Sequence, residues 1–418
     1  ALKGQGYATA HIGKWHLGED PYGPLEQGFD MRVPNWNKGW PKAGYYAPFD
    51  LDGIEDEPGQ YLTDRLTDYA QEFISENQDK PFFLYMSHYA VHDPIHGRPD
   101  LVEKYRKKLA SIKRPTSPPY VLEGNPDDTK PLTNLQLNSL INSTSHDGYQ
   151  VLPERTVKIK QHQDNIHFAA MVESMDESLG RIVDHIENLG LTDNTLIVFF
   201  ADNGGMSGGN FGRANRIIGE DDLDSAFATS NLPLRGAKGW LYEGGIRVPM
   251  IVKWPEKLSD SDQIVEEPII STDFYPSLLE MAGLPTKSTQ ILDGVSFVPA
   301  LKGEAFNRGP IFWHFPQYSN HGMQSPGGAV RMGDYKLLEY FENNTVQLFN
   351  LREDIGELND LSQAEPEIRE RLKALLHSWR EDVNAQMPQQ NIDYDPNLNV
   401  YPPNAQEGGL EWNGFEMK

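Results

Sequence analysis

The sequence predicts an α/β protein: a mostly parallel central sheet flanked by helices, then a small C-terminal antiparallel sheet with one helix. Three observations predict it. Segments of helical spacing alternate with short, wholly apolar runs, the pattern of strands covered on both faces. The texture changes near residue 310, where short strand-like runs are separated by turn residues. One last helical segment then closes the patterned part of the chain.

The first helix is expected at 62–77, where Leu66, Tyr69, Ala70, Phe73 and Ile74 share one face. Pro81–Ser87 reads as a buried strand after it. The stretch 113–160 is polar, contains Pro and Asn, and reads as an insertion. A longer helix is expected over 165–189. Phe168, Met171, Val172, Met175, Leu179, Ile182, Val183, Ile186 and Leu189 keep its spacing, and Gly190 ends it. Thr195–Ala201 and Pro249–Trp254 read as strands, and 272–283 as a helix. Past residue 310, Ile311–Phe315, Ala329–Tyr340 and Val346–Leu351 read as strands with turns at Met332–Tyr335 and Glu342–Thr345. The final helix is expected at 365–384, opened by Pro366 in its first turn. The tail from Met387 has no periodicity and is expected to wrap the surface or stay disordered. These readings divide the chain into a catalytic α/β domain at 1–310 and an antiparallel-sheet subdomain with its tail at 311–418.

Composition narrows the function. A chain of 418 residues can bury a large core. The net charge of −24 argues against nucleic acid as a partner, though a pocket lined by Lys and His can still bind an anion. There are no cysteines, so neither disulfides nor thiolate ligands are available. No apolar run has membrane-spanning length.

Chemistry-bearing residues fall in four clusters. Gly13-Lys14-Trp15-His16-Leu17-Gly18 follows an extended segment, and its Lys and His make a compact cationic pair suited to an anion. Asp202-Asn203-Gly204-Gly205 follows a strand directly, where open α/β sheets bind ligands. A carboxylate and an amide oxygen there suit a hard cation such as Ca²⁺ or Mg²⁺. The plainer alternative is an Asn-Gly turn. His92, just past the strand 81–87, could donate a proton or bind an anion, or be a satisfied histidine, and His88 and His96 compete with it. In Arg235-Gly236-Ala237-Lys238-Gly239, a Lys between glycines can bring its ammonium close to an oxyanion. Glu243 and Arg247 beyond it could form an ion pair that holds the turn.

Taken together and in this order, these motifs resemble the formylglycine-dependent sulfatases, and more closely the arylsulfatase A-like bacterial enzymes acting on sulfated sugars. The resemblance runs from residue 1 to about 385 and is weakest in 113–160. It implies an alkaline-phosphatase-like α/β domain with a small C-terminal antiparallel sheet. It implies that Asp202 and Asn203 are ligands of an active-site Ca²⁺, and that Lys14 and Lys238 hold sulfate oxygens. It implies that His16 hydrogen-bonds the nucleophile and helps collapse the covalent intermediate, while His92 faces the leaving-group oxygen. A sugar alkoxide leaves poorly, so an acid at the bridging oxygen matters. Trp313, His314 and His321 are candidates for the sugar subsite, a Trp face for stacking and imidazoles for hydroxyls, with interdomain packing the other role for Trp313. Arg213 and Arg216 are candidates for the pocket edge.

One departure is large. The family's nucleophile is a Cys or Ser upstream of the Gly-Lys-Trp-His motif, oxidised to formylglycine, and no such motif lies in residues 1–12. The family's paired Asp ligands are missing too. The expectation is a chain lacking about 100 upstream residues, inactive and poorly folded alone. A periplasmic or secreted location follows from the family. Two other readings compete: a phosphodiesterase or phosphonate hydrolase of the same superfamily, which would prefer Asp-His at 202–203, and a catalytically dead homologue that binds sulfated glycans.

Overall fold

The structure is a computed structural model. It describes residues 1–127, 131–140, 145–146, 149–150, 156–208, 227–255, 257–258, 263–286, 289–319, 324–389 and 391–392. Its contacts divide the chain into two units, one of Ala1–Arg114, Asp164–Phe199 and Met250–Phe306, the other of Pro115–Gln163, Phe200–Pro249 and Asn307–Lys418.

The first unit is built on a three-stranded parallel sheet. Ala8–Gly13 lies between Met31–Val33 and Phe82–Ser87, in register Ile12 to Val33 on one side and Ile12 to Met86 on the other. The central strand is sealed: Ala10, His11 and Ile12 have no solvent exposure. Leu62–Glu76 and Ile166–Asn188 are helices, as expected. They meet at a buried hydroxyl pair, Ser178 Oγ to Thr67 Oγ1 at 2.5 Å, because Thr67 spends its own proton on the Thr63 carbonyl. Asn165 caps the longer helix by accepting from the Phe168 and His167 amides. Gly190 ends it at φ +70°, a conformation glycine adopts without strain. Pro99–Ser111 packs Leu101 and Val102 against Ile166 and Ala170. Ile197–Phe200 pairs with Met250–Lys253 in a separate two-stranded sheet.

These apolar strands differ from the expectation of full burial. Phe82–Ser87 is half-buried with Tyr85 exposed, and in Met250–Lys253 Ile251 and Lys253 are exposed. Among the described residues, Phe82–Ser87 has a strand neighbour on one side only.

The second unit is organised by a four-stranded antiparallel sheet, in the order Ile311–Phe315, Gly327–Met332, Tyr335–Tyr340, Val346–Asn350. Period-2 alternation gives it two apolar faces. Ala329, Leu338, Tyr340 and Phe349 pack with Trp240 and Tyr242. Val330, Leu337 and Leu348 point the other way, onto Leu372 and Leu376 of the helix Pro366–Asp382. The stretch read as an insertion supplies two antiparallel strands, Tyr120–Gly124 and Thr156–Lys160. Val157 and Ile159 join the Trp240 cluster, which a polar average over 113–160 conceals. Most of the tail from Met387 lies outside the described residues.

Candidate active site

In the first unit, the Gly-Lys-Trp-His segment leaves the carboxyl end of the central strand through a tight junction. Gly13 has φ +112°, and a Cβ there would stand 1.8 Å from the Ser87 carbonyl oxygen, so only glycine fits. The Lys14 amide donates to that same carbonyl at 2.7 Å. The Lys14 carbonyl in turn accepts from the Ser87 hydroxyl at 2.5 Å and lies 3.1 Å from His11 Nε2. Lys14 is half-buried and His16 exposed. His16 sits at φ +55°, a conformation that costs a non-glycine residue free energy and marks functional segments. Gly39 makes room for its ring: a Cβ there would approach His16 Nδ1 to 2.4 Å. Trp40 meets that ring edge-on at 6.2 Å, and Trp15 Nε1 donates to the Tyr22 carbonyl at 2.9 Å.

His92 lies beyond the carboxyl end of the neighbouring strand. Its amide donates to the Tyr89 carbonyl at 2.8 Å, and its carbonyl accepts from the buried Tyr45 hydroxyl at 2.9 Å. Burial holds that hydroxyl protonated far above its ordinary range. His92 Nδ1 is 3.2 Å from the Asp93 carbonyl, which can only accept, so Nδ1 carries the proton and Nε2 is the nitrogen that can exchange one. The competing histidines differ from it. His88 has Nδ1 sealed from solvent without a hydrogen-bond partner, and burial pushes the ring down to about 4. Burial also lowers His96, which lies against Gly44.

In the second unit, the Asp-Asn-Gly-Gly turn and the Lys238 loop are fastened to each other. The Gly204 amide donates to the Gly245 carbonyl at 3.0 Å, and a Cβ on Gly204 would strike the Gly244 carbonyl oxygen at 1.8 Å. The Lys238 amide donates to the Gly205 carbonyl at 3.1 Å. Asn231 sits between them, its amide nitrogen 2.9 Å from the Gly205 carbonyl and 3.1 Å from that of Gly244. Asp202 is exposed and Lys238 half-buried. Asn203 donates its amide N–H to the Gly204 carbonyl at 2.9 Å. Its acceptor oxygen and the Asp202 carboxylate are hard donors, which fit Ca²⁺ in kind. They are two of the roughly six to eight oxygens that ion takes. Among the described residues, no group of three or more His, Cys, Asp or Glu side chains could hold a metal.

Behind this loop, Arg235 clamps Glu123 through two bonds of 3.0 and 2.6 Å and stacks on Tyr242 at 4.0 Å. Glu243 is buried and takes Lys336 at 2.9 Å, so its main partner is that lysine, with Arg247 further off at 3.6 Å. Trp313 is half-buried against the Trp240 cluster. His314 Nε2 lies 2.7 Å from the Gln386 carbonyl. His321, Arg213 and Arg216 lie outside the described residues.

The first unit thus holds Lys14, His16 and His92 on neighbouring strand ends, and the second holds Asp202, Asn203 and Lys238 on interlocked turns. Sequence reasoning missed His11, Ser87 and Asn231. A histidine inside a strand with no exposed position was the available signal for His11.

A family model described as Sulfatase matches residues 1–284. The chain belongs to the sulfatase family. A second model, the C-terminal part of N-sulphoglucosamine sulphohydrolase, matches 237–382. A sulfatase of Formosa agariphila is 29% identical over 350 residues, covering 78% of this chain and 51% of that protein. The N-acetylglucosamine-6-O-sulfatase of Bacteroides thetaiotaomicron is 25% identical over 415 residues, covering 86% and 67%. The chain therefore spans about half the length of the Formosa relative. The crystal structure of Ps i-CgsB superposes with a TM-score of 0.63 at 25% identity, covering 91% of this chain and 73% of that one. The structure of BT4656 with its substrate D-glucosamine-2-N,6-O-disulfate matches in fold, with a TM-score of 0.63 at 21% identity over 93% and 82%. The alkaline-phosphatase-like fold expected from the motifs is the fold these sulfatases share. Among the described residues, no helix is long and apolar enough to cross a membrane.

Proposed function

We propose that this sulfatase-family protein hydrolyses sulfate esters of a carbohydrate, using a formylglycine nucleophile and one Ca²⁺. The observation that carries the reading is the span of the family match: Lys14, His16, His92, Asp202, Asn203 and Lys238 all fall within residues 1–284. Sugar sulfates as substrate follow from the relatives. One of them is an N-acetylglucosamine-6-O-sulfatase, and Ps i-CgsB has been crystallised with k-i-k-neocarrahexaose. The protein is proposed to work in the periplasm or outside the cell.

In this reading Lys14 and Lys238 place two ammonium charges on the sulfate oxygens, where negative charge spreads in the transition state. His16 bonds the nucleophile. His92 acts as the imidazolium: its Nδ1–H is held by the Asp93 carbonyl, and its second proton, on Nε2, passes to the bridging oxygen as the sugar alkoxide leaves, which returns the ring to its neutral Nδ1–H form. Asp202 and Asn203 would hold the metal, which when bound orients the sulfate and stabilises a deprotonated nucleophile. Trp313, His314 and His321 are proposed to contact the sugar. These 418 residues hold neither a cysteine nor a Ser-x-Pro/Ala-x-Arg motif, so the oxidised residue is proposed to lie outside them, and the chain alone to be inactive.

Peptide mass spectrometry of the native protein, with turnover measured on a sulfated sugar and on a phosphodiester, tests this. The expected result is a formylglycine peptide, release of sulfate, and loss of that activity in EDTA with recovery in Ca²⁺. Two Zn²⁺ or Mn²⁺ per chain with phosphodiester cleavage would replace the reading by a phosphodiesterase. Binding of a sulfated glycan without an oxidised residue would leave a binding protein.

A further inference from the structure

His11 has no solvent exposure, yet it carries two polar nitrogens into the middle of a parallel sheet. Apolar packing alone does not account for a histidine there, because burying an imidazole without a partner is unfavourable. Its Nε2 lies 3.0 Å from Ser87 Oγ and 3.1 Å from the Lys14 carbonyl oxygen. The protons can be assigned from the bonding. Ser87 has one hydroxyl proton, and at 2.5 Å it points at the Lys14 carbonyl, which can only accept. Nε2 therefore carries a proton of its own and donates to the same pair of oxygens. Nδ1 is then unprotonated, which suits its surroundings: it is buried without a hydrogen-bond partner. Trp15, Phe29 and Tyr85 enclose the ring at 4.9, 5.8 and 5.6 Å.

We propose that His11 is a positioning residue for Lys14: its Nε2–H and the Ser87 hydroxyl together fasten the Lys14 carbonyl where the chain leaves the strand. The Lys14 amide is already bonded to the Ser87 carbonyl, so this latch fixes the peptide on both sides of the Lys14 Cα. The direction of the Lys14 side chain follows from that, and the chain enters the left-handed turn at His16 from a set starting point. His11 touches no reacting group and acts only through Lys14. The value of the latch to catalysis rests on the sulfatase reading above, while the latch itself does not.

Three variants, made in the full-length protein that carries the proposed nucleophile, separate the latch from ring packing. His11→Gln keeps an N–H donor at a reach similar to Nε2, His11→Met keeps comparable volume without a donor, and Ser87→Ala removes the second donor. A displaced Lys14 is expected to lower kcat on a sulfated sugar by tenfold or more in His11→Met, since misplacement of about 1 Å costs on the order of a hundredfold. KM is expected to stay within about twofold, because the loss falls on transition-state interactions. His11→Gln restores kcat to within about threefold, and Ser87→Ala falls between. Hydrogen exchange of the peptide spanning residues 8–18 is expected to quicken in His11→Met and Ser87→Ala and to return toward wild type in His11→Gln. Wild-type kcat and exchange in His11→Met would overturn the proposal, as would His11→Gln behaving like His11→Met in both readouts. If the wild-type protein turns over no sulfate ester, the functional reading falls, and the exchange comparison still decides the latch.

Discussion

His11 is neutral in the fold: burial pushes its ring down to about 4 from an ordinary 6.5, against a smaller opposing effect of the Lys14 carbonyl. The sign of the consequence follows. Between these two values the unfolded chain binds a proton that the folded chain refuses, so stability falls as pH drops through this window and is fully retained above it. At pH 5 the ring contributes a loss of about 2 kcal/mol relative to pH 7.5. Denaturant unfolding of His11→Gln and of wild type at both pH values checks this. The variant is expected to lose about 2 kcal/mol less on acidification, because carboxylates and the other histidines titrate in both proteins. Equal losses would mean that the ring is protonated in the fold. The same scale shows what the sequence could reveal. Lys14, His92 and the Asp202–Asn203 pair are legible because each follows a strand-like run and stands beside glycine or turn residues. His11 and Asn231 are not, because their partners are backbone carbonyls, such as those of Lys14, Gly205 and Gly244.

At the scale of elements, the Lys238 loop depends on a charge buried far along the chain. Lys336 sits in the second strand of a hairpin with no exposure and lies 2.9 Å from both Glu243 and Glu357. Glu357 also accepts from the Glu243 amide at 2.7 Å, and its carbonyl accepts from Arg235 at 2.8 Å. One lysine thus pairs with two carboxylates, which answer differently. Burial raises both, but for Glu243 the combined attraction of Lys336, Arg331 and Arg247 outweighs it, whereas Glu357 stays raised. Lys336→Met removes the cation and leaves the carboxylates buried together. A loss of about 3–5 kcal/mol is expected, the usual cost of an uncompensated buried charge. Replacing Glu357 by Gln as well should recover part of it, since one of the two charges then disappears; the four-membered cycle in denaturant measures this coupling. An additive cycle would show that the three groups do not act as a unit. The hairpin itself was readable from alternation and from Gly333 and Asn344 at its turns. The long-range triad was not, because a lysine in an alternating strand reads as a solvent-facing position. The strands Tyr120–Gly124 and Thr156–Lys160 were missed for a like reason, since Glu123 in the one and Lys158 and Lys160 in the other are buried charged residues.

At the largest scale, these 418 residues carry a net charge of −24, while the proposed chemistry needs an anionic substrate. The two facts act over different distances. Net charge dominates the field far from the surface, while the lysines proposed to hold the sulfate, Lys14 and Lys238, would dominate it only at contact. At about 0.01 M salt the Debye length is about 30 Å, so a polysulfated oligosaccharide meets the repulsion of the whole chain before it meets either lysine. At about 0.1 M the length falls to about 10 Å and most of that repulsion is screened, while contacts within the site are screened far less. The dependence of kcat/KM on KCl should therefore rise from low salt toward about 0.1 M and then decline as the site's own attraction weakens. A monosulfated monosaccharide, with one charge, should show a much shallower rise. Rates for the two substrates across one salt series test the argument. A steady fall from the lowest salt with the polysulfated substrate would mean that the cations of the site govern approach from a distance. The acidity of the surface would then serve solubility without slowing encounter.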